Sequence, residues 1–356
     1  MKLNFNNHLT NKMMKKSILL TAFACIAFAS CTNDENFYEN VQQEISFTPV
    51  QHLNQSRTDA TQGALATDVH FGVFAWYGTK DATINTNAYM ENVEISYSKS
   101  KWQPASPYYW LKNNSISFVA YAPYTAESAE HIFLPVFTVN ETTSSNKINY
   151  KDVVIDPTDN DNSKDIMYSN KTAELTGNTQ DFTPSSEASQ YQGVPIIFNH
   201  ALAKVSFKFK NATLTDESKS TTWEVTVTKC TLGKIGTKGS VELTLNENKQ
   251  DWDLPSNNIW APVNSKKDWV LCDSQTSSDS KLVLNGEFQA LKENILVIPQ
   301  ATENIVLDIA YSVKTTLPNQ NAITENFTHK ISDISKINSI LYWAMNKHIT
   351  DRKSVV

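Results

Sequence analysis

A chain of 356 residues, of which 40% are hydrophobic, is long enough to bury two cores of ordinary domain size. Its formal net charge of −6 gives no electrostatic reason to bind nucleic acid. Arginine, which makes most bidentate contacts with phosphates and bases, occurs only at positions 57 and 352. We therefore expect no nucleic acid partner.

The first residues of the chain resemble the export signal of a bacterial lipoprotein. Two lysines precede a largely apolar run at residues 17–27, which is too short to span a bilayer comfortably. Small residues then lead directly to Cys31, as in the sequence that lipoprotein signal peptidase cuts. We predict a signal peptide over residues 1–30, with Met13 as an alternative start, and a lipid on Cys31. An ordinary signal peptide with a chance cysteine is the alternative.

A polar and acidic segment, TNDEN, follows Cys31. Such residues do not pack into a core, so we predict a solvated tether over residues 31–43. Acidic residues at this place resemble the signal that sends some lipoproteins to the outer surface of the outer membrane. The lipid would hold the protein there, because each buried CH₂ group contributes about 0.8 kcal/mol.

Two of the four cysteines belong to the export signal and two to the folded body. Cys25 leaves with the signal peptide, and Cys31 is the predicted lipidation site, so that only Cys230 and Cys272 remain in the folded body. In an exported protein these two could form a disulfide. They could equally be two buried free thiols, because a sequence does not give the distance between them.

Alternation of apolar and polar residues recurs along the chain and predicts an all-β fold. In the second half, the apolar residues of these runs are expected to face a core. They are Val205, Phe207, Phe209, Trp223, Val225, Val227, Leu307 and Ile309. In the first half, runs such as HFGVFAWYG and SISFVAYAP have the aromatic and β-branched residues of strands. We allow for short helices only near residues 62–68 and 332–338.

A domain boundary is predicted between residues 194 and 195. The long polar stretch at residues 169–190 ends just before this point, and a new set of alternating strands begins. This division gives an N-terminal domain over residues 44–194 and a C-terminal domain over residues 195–356.

No pattern for catalysis, a cofactor or a metal stands out. Asp159 and Asp161 have the spacing of a calcium loop, but Lys164 occupies the position where that loop has glycine. A solvated acidic loop is the better interpretation. His200 lies within an apolar pattern, where a structural hydrogen bond is the expected role. We therefore expect a protein without catalytic residues, cofactor or metal.

Aromatic residues cluster between positions 102 and 110. Trp102, Tyr108, Tyr109 and Trp110 could stack against a sugar, but filling a core and its rim is the better interpretation. An exposed aromatic platform would instead favour a glycan-binding protein.

Several segments follow one another in an order that carries a family resemblance. After the lipoprotein signal come EISFTPV, QSRTDA, FGVFAWY, a tryptophan, SPYYW and SISFVAYAP, and then KDIMYSN, IIFNHALAKVSFKF, ILVIPQ and WAMNKHIT. Together they resemble the fimbrillins, the subunits of type V fimbriae of gram-negative anaerobes, over nearly the whole chain. The resemblance implies two transthyretin-like β-sandwich domains in tandem and a location in a fimbrium at the cell surface.

The resemblance also implies maturation by an arginine-specific protease, followed by strand exchange with other fimbrial subunits. The cut would fall between Arg57 and Thr58, because Arg57 is the only arginine before the last few residues and lies in a polar segment that favours proteolysis. The first strand, with Ile45, Phe47 and Val50 facing inward, would then be displaced. A strand from the next subunit would fill the groove by β-augmentation. A stray exposed arginine is the alternative.

The C-terminal sequence differs from the family pattern. Fimbrillins usually continue after a motif like NKHIT with alternating tyrosine and isoleucine, whereas this chain ends in DRKSVV. We therefore expect truncated closing strands. The first interpretation is a structural fimbrial subunit of the shaft, tip or anchor that serves adhesion. The alternative is a surface lipoprotein that does not polymerise and binds a glycan or a host protein. A glycoside hydrolase would need a carboxylate pair that no pattern marks.

Overall fold

β-Strands make up nearly all of the regular structure, which confirms the all-β fold. The computed structural model describes residues 44–53, 61–79, 87–111, 114–126, 135–138, 146–155, 164–172, 175–176, 193–212, 215–216, 220–246, 251–261, 263–275, 281–337 and 339–355. Within these ranges the only other elements are two short 3-10 helices, Ser256–Asn258 and Ile334–Lys336. The described part contains no helix with the length and apolar character needed to cross a membrane.

Nine of the first eleven strands form one sheet. The eleven are β1 (Phe47–Leu53), β2 (Thr61–Ala64), β3 (Phe71–Thr79), β4 (Asn87–Ser98), β5 (Lys101–Pro104), β6 (Asn114–Ala122), β7 (Val136–Thr138), β8 (Lys147–Val154), β9 (Met167–Ser169), β10 (Leu175–Thr176) and β11 (Val194–His200). The order in the sheet is β10-β6-β3-β4-β5-β1-β11-β9, with β2 paired to β1. Because β6 also pairs with β9, the sheet curls back on itself around a core that includes Phe71, Phe118 and Phe198.

The remaining strands are organised around one long strand of 26 residues, β14. They are β12 (Ala203–Asn211), β13 (Thr215–Asp216), β14 (Thr221–Asn246), β15 (Asp251–Asp253), β16 (Val263–Asp273), β17 (Leu282–Leu284), β18 (Gln289–Val297), β19 (Gln300–Ala301), β20 (Val306–Thr316), β21 (Ile323–Ile331), β22 (Tyr342–Trp343) and β23 (Lys347–Val355). β14 lies in a second sheet, called the larger sheet below, which also includes β7 and β8. Its order is β21-β20-β14-β8-β7, and β13, β15, β16 and β17 also pair with β14. A three-stranded sheet has the order β18-β12-β23, and β19 pairs with β22.

The larger sheet and the three-stranded sheet share one core, which confirms the inward face predicted from the alternation. The buried residues of that prediction are each at most 2% exposed, and they are Val205, Phe207, Phe209, Val225, Val227, Leu307 and Ile309. Trp223 packs against this core but is only partly buried. Each fully buried large side chain contributes about 1.5–3 kcal/mol, so this face stabilises the sandwich.

The long strand β14 connects the two halves of the chain. β8 precedes the predicted domain boundary, β14 follows it, and the two strands pair in antiparallel register. A further core cluster also combines both halves, with Tyr150 stacked on Trp260 at 6.2 Å between ring centroids. One sheet therefore contains strands from both sides of the predicted boundary. The boundary between residues 194 and 195 stays a prediction.

The two sites where we allowed for short helices have different outcomes. At residues 62–68 a helix is wrong, because residues 61–64 form β2 and pair with the end of β1. In the second segment Ile334–Lys336 form a 3-10 helix, and the Asp333 side chain caps it by accepting a hydrogen bond from the N–H of Ser335. The last residues include β23, which runs parallel to β12. Truncation of the closing strands stays a prediction.

Candidate functional site

β1 lies inside the N-terminal sheet and has a neighbour on each side. On one side it runs parallel to β11, with Phe47 opposite Val194 and Gln51 opposite Phe198. On the other side it pairs in antiparallel register with β5 and β2. Removal of β1 would therefore open a slot in the sheet, with unpaired backbone N–H and C=O groups along both walls.

The inward face of β1 is apolar. Ile45, just before the strand, and Phe47 are each only 2% exposed. The ring of Phe47 lies edge-on to those of Phe71 and Phe118, with 6.0 and 5.7 Å between the centroids. Burial of these two side chains contributes about 1.5–3 kcal/mol each. The strand is thus held by its side chains as well as by its backbone hydrogen bonds.

Val50 does not belong to this inward face, so the prediction that it points inward with Ile45 and Phe47 is wrong. Val50 is half-buried, whereas Pro49 is buried. The physical reason is the two-residue period of a strand, which puts residues 45, 47 and 49 on one face and residue 50 on the other.

The close approach of β1 to β11 leaves no room for a side chain at position 193. The N–H of Val194 donates to the C=O of Ser46 at 2.7 Å. A Cβ atom on Gly193 would lie 2.7 Å from backbone atoms of both Ser46 and Phe47. Such a contact is far shorter than van der Waals distance, and a backbone cannot move aside as a flexible side chain can. Gly193 therefore permits the register between these two strands.

Polar groups surround the start of β1. The N–H of Ile45 donates to the C=O of Tyr108 at 2.8 Å. The Nζ atom of Lys101 lies 3.1 Å from Oε2 of Glu44, and both side chains are partly exposed. An exposed ion pair of this kind contributes at most about 1 kcal/mol. A cavity of about 130 Å³ lies beside Glu44 and Ile45. The apolar face, and not this rim, therefore holds β1 in place.

The predicted processing site lies between β1 and β2 in the sequence. β1 ends at Leu53 and β2 begins at Thr61. Arg57 and Thr58 fall within residues 54–60, which lie outside the described residues. The predicted lipidation site Cys31 also lies outside the described residues. Chain order alone thus puts Arg57 after β1 and before every later strand.

The aromatic cluster belongs to the core, as expected. Trp102 and Trp110 are buried, and the Trp102 ring lies 5.5 Å from that of Phe71. Tyr108 is partly buried and lies edge-on to Tyr89, at 5.5 Å between the centroids. The two buried indole rings are therefore not available for stacking against a sugar.

Cys230 of β14 lies directly opposite Cys272 of β16 in the antiparallel ladder. Both residues are buried, and both are free thiols in the structure. Burial raises the pKa of both thiols, to about 11 for Cys272. The fold thus brings the two cysteines together, and their pairing as a disulfide stays a prediction.

His200 is buried next to an acidic side chain, and a structural hydrogen bond of its ring stays a prediction. Its Nδ1 atom lies 2.8 Å from Oδ2 of Asp165, and its side chain is 8% exposed. Asp159 and Asp161, the pair with the spacing of a calcium loop, lie outside the described residues. Among the residues that are described, no three His, Cys, Asp or Glu side chains converge as a metal site would require.

Comparison with known proteins identifies the family. The sequence model of a family described as fimbrillin-like matches residues 58–350. The chain belongs to this family. A fimbrial protein from Bacteroides vulgatus with a known crystal structure is 15% identical, with 87% of this chain and 95% of that chain covered and a TM-score of 0.54. At this identity the likeness shows the fold alone, and it is the family match that confirms the resemblance seen in the sequence motifs.

Two further solved structures are similar to this fimbrillin, with lower TM-scores. The fimbrial anchor protein Mfa2 from Porphyromonas gingivalis is 13% identical, with 83% of this chain and 85% of that chain covered and a TM-score of 0.29. A fimbrial protein from Bacteroides ovatus is 14% identical, with 89% and 50% covered and a TM-score of 0.35. A search of curated proteins gives no match.

Sequence reasoning located β1 in this fimbrillin but missed its partner strand. The parallel pairing with β11 joins the start of the predicted N-terminal domain to residues 194–198 at the predicted domain boundary, and local alternation does not encode such a pairing. One signal was present in the sequence. Gly193 directly precedes the apolar run VPIIF, and glycine at a strand often marks close approach of another backbone.

Proposed function

We propose that this fimbrillin is a structural subunit of a surface fimbria and that β1 is the strand exchanged during assembly. One observation carries the proposal. β1 lies between two neighbouring strands with Ile45 and Phe47 buried, yet the only covalent link from it to the later strands is the segment at residues 54–60. A cut in that segment would leave a complete strand held by noncovalent contacts alone.

The sequence supplies the parts that such a maturation needs. The signal peptide would direct export, and a lipid on Cys31 would anchor the precursor in the outer membrane. An arginine-specific protease would cut after Arg57, since no other arginine occurs before position 352. The family match begins at residue 58, the first residue after that cut. Cleavage would therefore separate the lipid and β1 from the whole family-matched part of the chain.

The covalent link explains why exchange would depend on cleavage. A tethered β1 re-enters its slot at a high effective concentration, which a strand from another subunit cannot match. After cleavage β1 becomes an ordinary ligand that can be lost. The empty slot would then expose Phe71 and Phe118 together with unpaired backbone groups, so an incoming strand with alternating apolar residues would be stabilised there.

The proposal is tested by cutting the purified precursor with an arginine-specific protease. The main product should start at Thr58, with the lysine-containing body intact, and it should form higher oligomers when a subunit with complete closing strands is supplied. Arg57→Lys is the matched control, because it keeps the charge but removes the cut, so its N-terminal segment should stay attached and it should form no oligomers beyond those of the uncut wild type. Cut protein that forms no higher oligomers with such a subunit would favour the surface lipoprotein that binds a glycan or a host protein.

The lipid anchor has a separate test. Cells that express the protein should incorporate labelled palmitate into it, and the Cys31→Ser variant should take up no label and leave the membrane fraction. Unchanged labelling of that variant would place the lipid elsewhere and remove the proposed anchor.

A further inference from the structure

β21 is a long strand at the edge of the larger sheet. Within the described part of the chain it pairs with β20 and with no other strand. It has nine residues, and residues 323–330 are all exposed. In an antiparallel ladder alternate residues direct their N–H and C=O groups to the same side, so about half of the backbone groups of β21 point away from β20. A free edge of this length is a template for another strand.

One face of β21 lies on the same side of the sheet as the core. This face is partly apolar, and its apolar side chains are exposed. Directly opposite residues share a face, and Val313 of β20, opposite Glu325, is buried. On the same face of β21, however, Ile323 is 55% exposed and Phe327 is 41% exposed. The Phe327 ring stacks on Tyr311 at 5.4 Å between centroids. β21 thus extends beyond the layer that covers β20, among the residues that the structure describes.

We propose that β21 binds β21 of a second copy of this chain, in antiparallel register around a two-fold axis at Phe327. The sequence of the strand, ITENFTHKI, is self-complementary in this register. Phe327 faces its own counterpart and the pairs on either side are Ile323 with Ile331, Thr324 with Lys330, Glu325 with His329, and Asn326 with Thr328. All nine residues are paired, each copy places its glutamate opposite a histidine, and no like charges meet.

The neighbouring registers fit less well. A shift of two residues in one direction puts Glu325 opposite Phe327, and a shift in the other direction puts Glu325 opposite Ile331, so a charge faces an apolar side chain in both. Both shifts also leave two residues of the strand unpaired. A two-fold axis perpendicular to the sheet keeps the core faces of the two copies on the same side. The exposed Phe327 rings and the partly buried Tyr311 rings of both copies then form one continuous apolar surface.

This surface goes beyond the proposed strand exchange, because it lies on residues 323–331 and uses neither β1 nor Arg57. The first test is cross-linking of the full chain by oxidised glutathione. Phe327→Cys should give a disulfide-linked dimer, since residue 327 faces itself across the axis. Ile323→Cys is the matched control, because it is similarly exposed but faces residue 331, and it should stay monomeric on a denaturing gel. Equal cross-linking of both variants, or of neither, would overturn the proposal.

The second test is a charge exchange measured by sedimentation velocity over a concentration series. His329→Glu should raise the dimer dissociation constant about tenfold, because two glutamates would then face each other at two symmetric positions. Adding Glu325→Lys should restore the wild-type constant. Residues 325 and 329 are about 13 Å apart within one strand, so this rescue cannot arise inside a single chain. A wild-type protein that is monomeric throughout, or a double variant weaker than His329→Glu, would overturn the proposal.

The two proposals can fail independently. Arg57→Lys should leave the β21 dimer unchanged, and His329→Glu should leave cleavage and exchange of β1 unchanged. A partner strand from a different subunit that binds β21 in place of a second copy would also contradict the proposed self-pairing.

Discussion

Phe47 packs edge-on against Phe118, with 5.7 Å between the ring centroids. The two residues belong to β1 and β6, which are not neighbours in the sheet, so this contact crosses the interior. The core therefore binds β1 independently of the ladder hydrogen bonds. Under the proposed exchange, this contact would keep β1 bound after its covalent link is cut, and a similar strand could still replace it.

Truncation of the Phe47 side chain should weaken the binding of β1 to the core. We expect Phe47→Ala to lower the free energy of unfolding by about 3–5 kcal/mol, because it removes a buried ring and leaves a cavity. Urea unfolding measures this loss. After cleavage, native mass spectrometry should show the variant without its N-terminal fragment, while wild type retains it. Thr48→Ala, on the other face of β1, is the control and should stay within about 0.5 kcal/mol. Equal losses for the two variants would contradict the assignment of faces.

Gly193→Ala should loosen β1 from β11. The added Cβ would meet the backbone of Ser46 and Phe47 at 2.7 Å, so the strands must separate. We expect a loss of about 1–3 kcal/mol in unfolding free energy and faster hydrogen exchange at the Val194 N–H. Gly233→Ala is the matched control, since its nearest contact is the side-chain oxygen of Asp268 at 3.0 Å. Unchanged exchange at Val194 would contradict the close packing.

The facing cysteines should form a disulfide during folding but resist oxidation afterwards. Directly opposite residues have Cα atoms about 4.5–5.5 Å apart, within the range of disulfides, roughly 4.4–6.8 Å. Refolding with oxidised glutathione should join Cys230 and Cys272, with two glutathione thiols released, and should add about 2–4 kcal/mol of stability. In folded protein the buried thiols, whose pKa is raised, should react slowly.

Mass analysis after alkylation in denaturant distinguishes these forms. The refolded protein should take up alkylating groups at Cys230 and Cys272 only after reduction. The Cys272→Ser variant should show no oxidation-dependent gain in stability. Rapid alkylation of both thiols in the native protein would show that they are not buried as the structure places them.

The pairing of β23 with β12 should weaken as the pH falls. The Nε2 atom of His348 lies 3.1 Å from Oγ of Ser206. Burial, together with Lys204 and Lys208 on β12, lowers the pKa of His348 from its ordinary 6.5, while Glu293 on β18 opposes the shift. With a lowered pKa the folded state binds fewer protons than the unfolded state, so stability is lost as the pH falls through 6.5.

Hydrogen exchange of residues 347–352 between pH 7.5 and 5.5 measures this effect. We expect a modest loss of protection at the lower pH, because the ring is partly exposed and solvent screens the lysines. His348→Gln should remove the difference after correction for intrinsic exchange rates. Greater protection at pH 5.5 in wild type would contradict the sign of the shift.

Alternation of residue type was sufficient to predict the all-β fold and most of the inward face in the second half of this fimbrillin. Phe207 and Phe209 lie inward because a strand has a period of two, and that period is visible in the sequence. The same period, applied strictly, would have assigned Pro49 rather than Val50 to the inward face of β1. Pairing between distant strands could not be predicted from the sequence. β14 pairs with β8 of the other half through backbone hydrogen bonds, and these have no side-chain pattern. The slot around β1 could therefore be predicted from family resemblance, but not its parallel wall β11.

The most direct test of the central claim measures uptake of a free strand into the slot of β1. A fluorescent peptide with the sequence of residues 44–53 is mixed with cut protein, with uncut protein and with the Arg57→Lys variant treated with protease, and anisotropy is followed over time. The account predicts slow uptake by cut protein alone, and at least tenfold less with a peptide in which Phe47→Ser removes the buried ring. Equal uptake by cut and uncut protein, or none by any form, would contradict the exchange of β1.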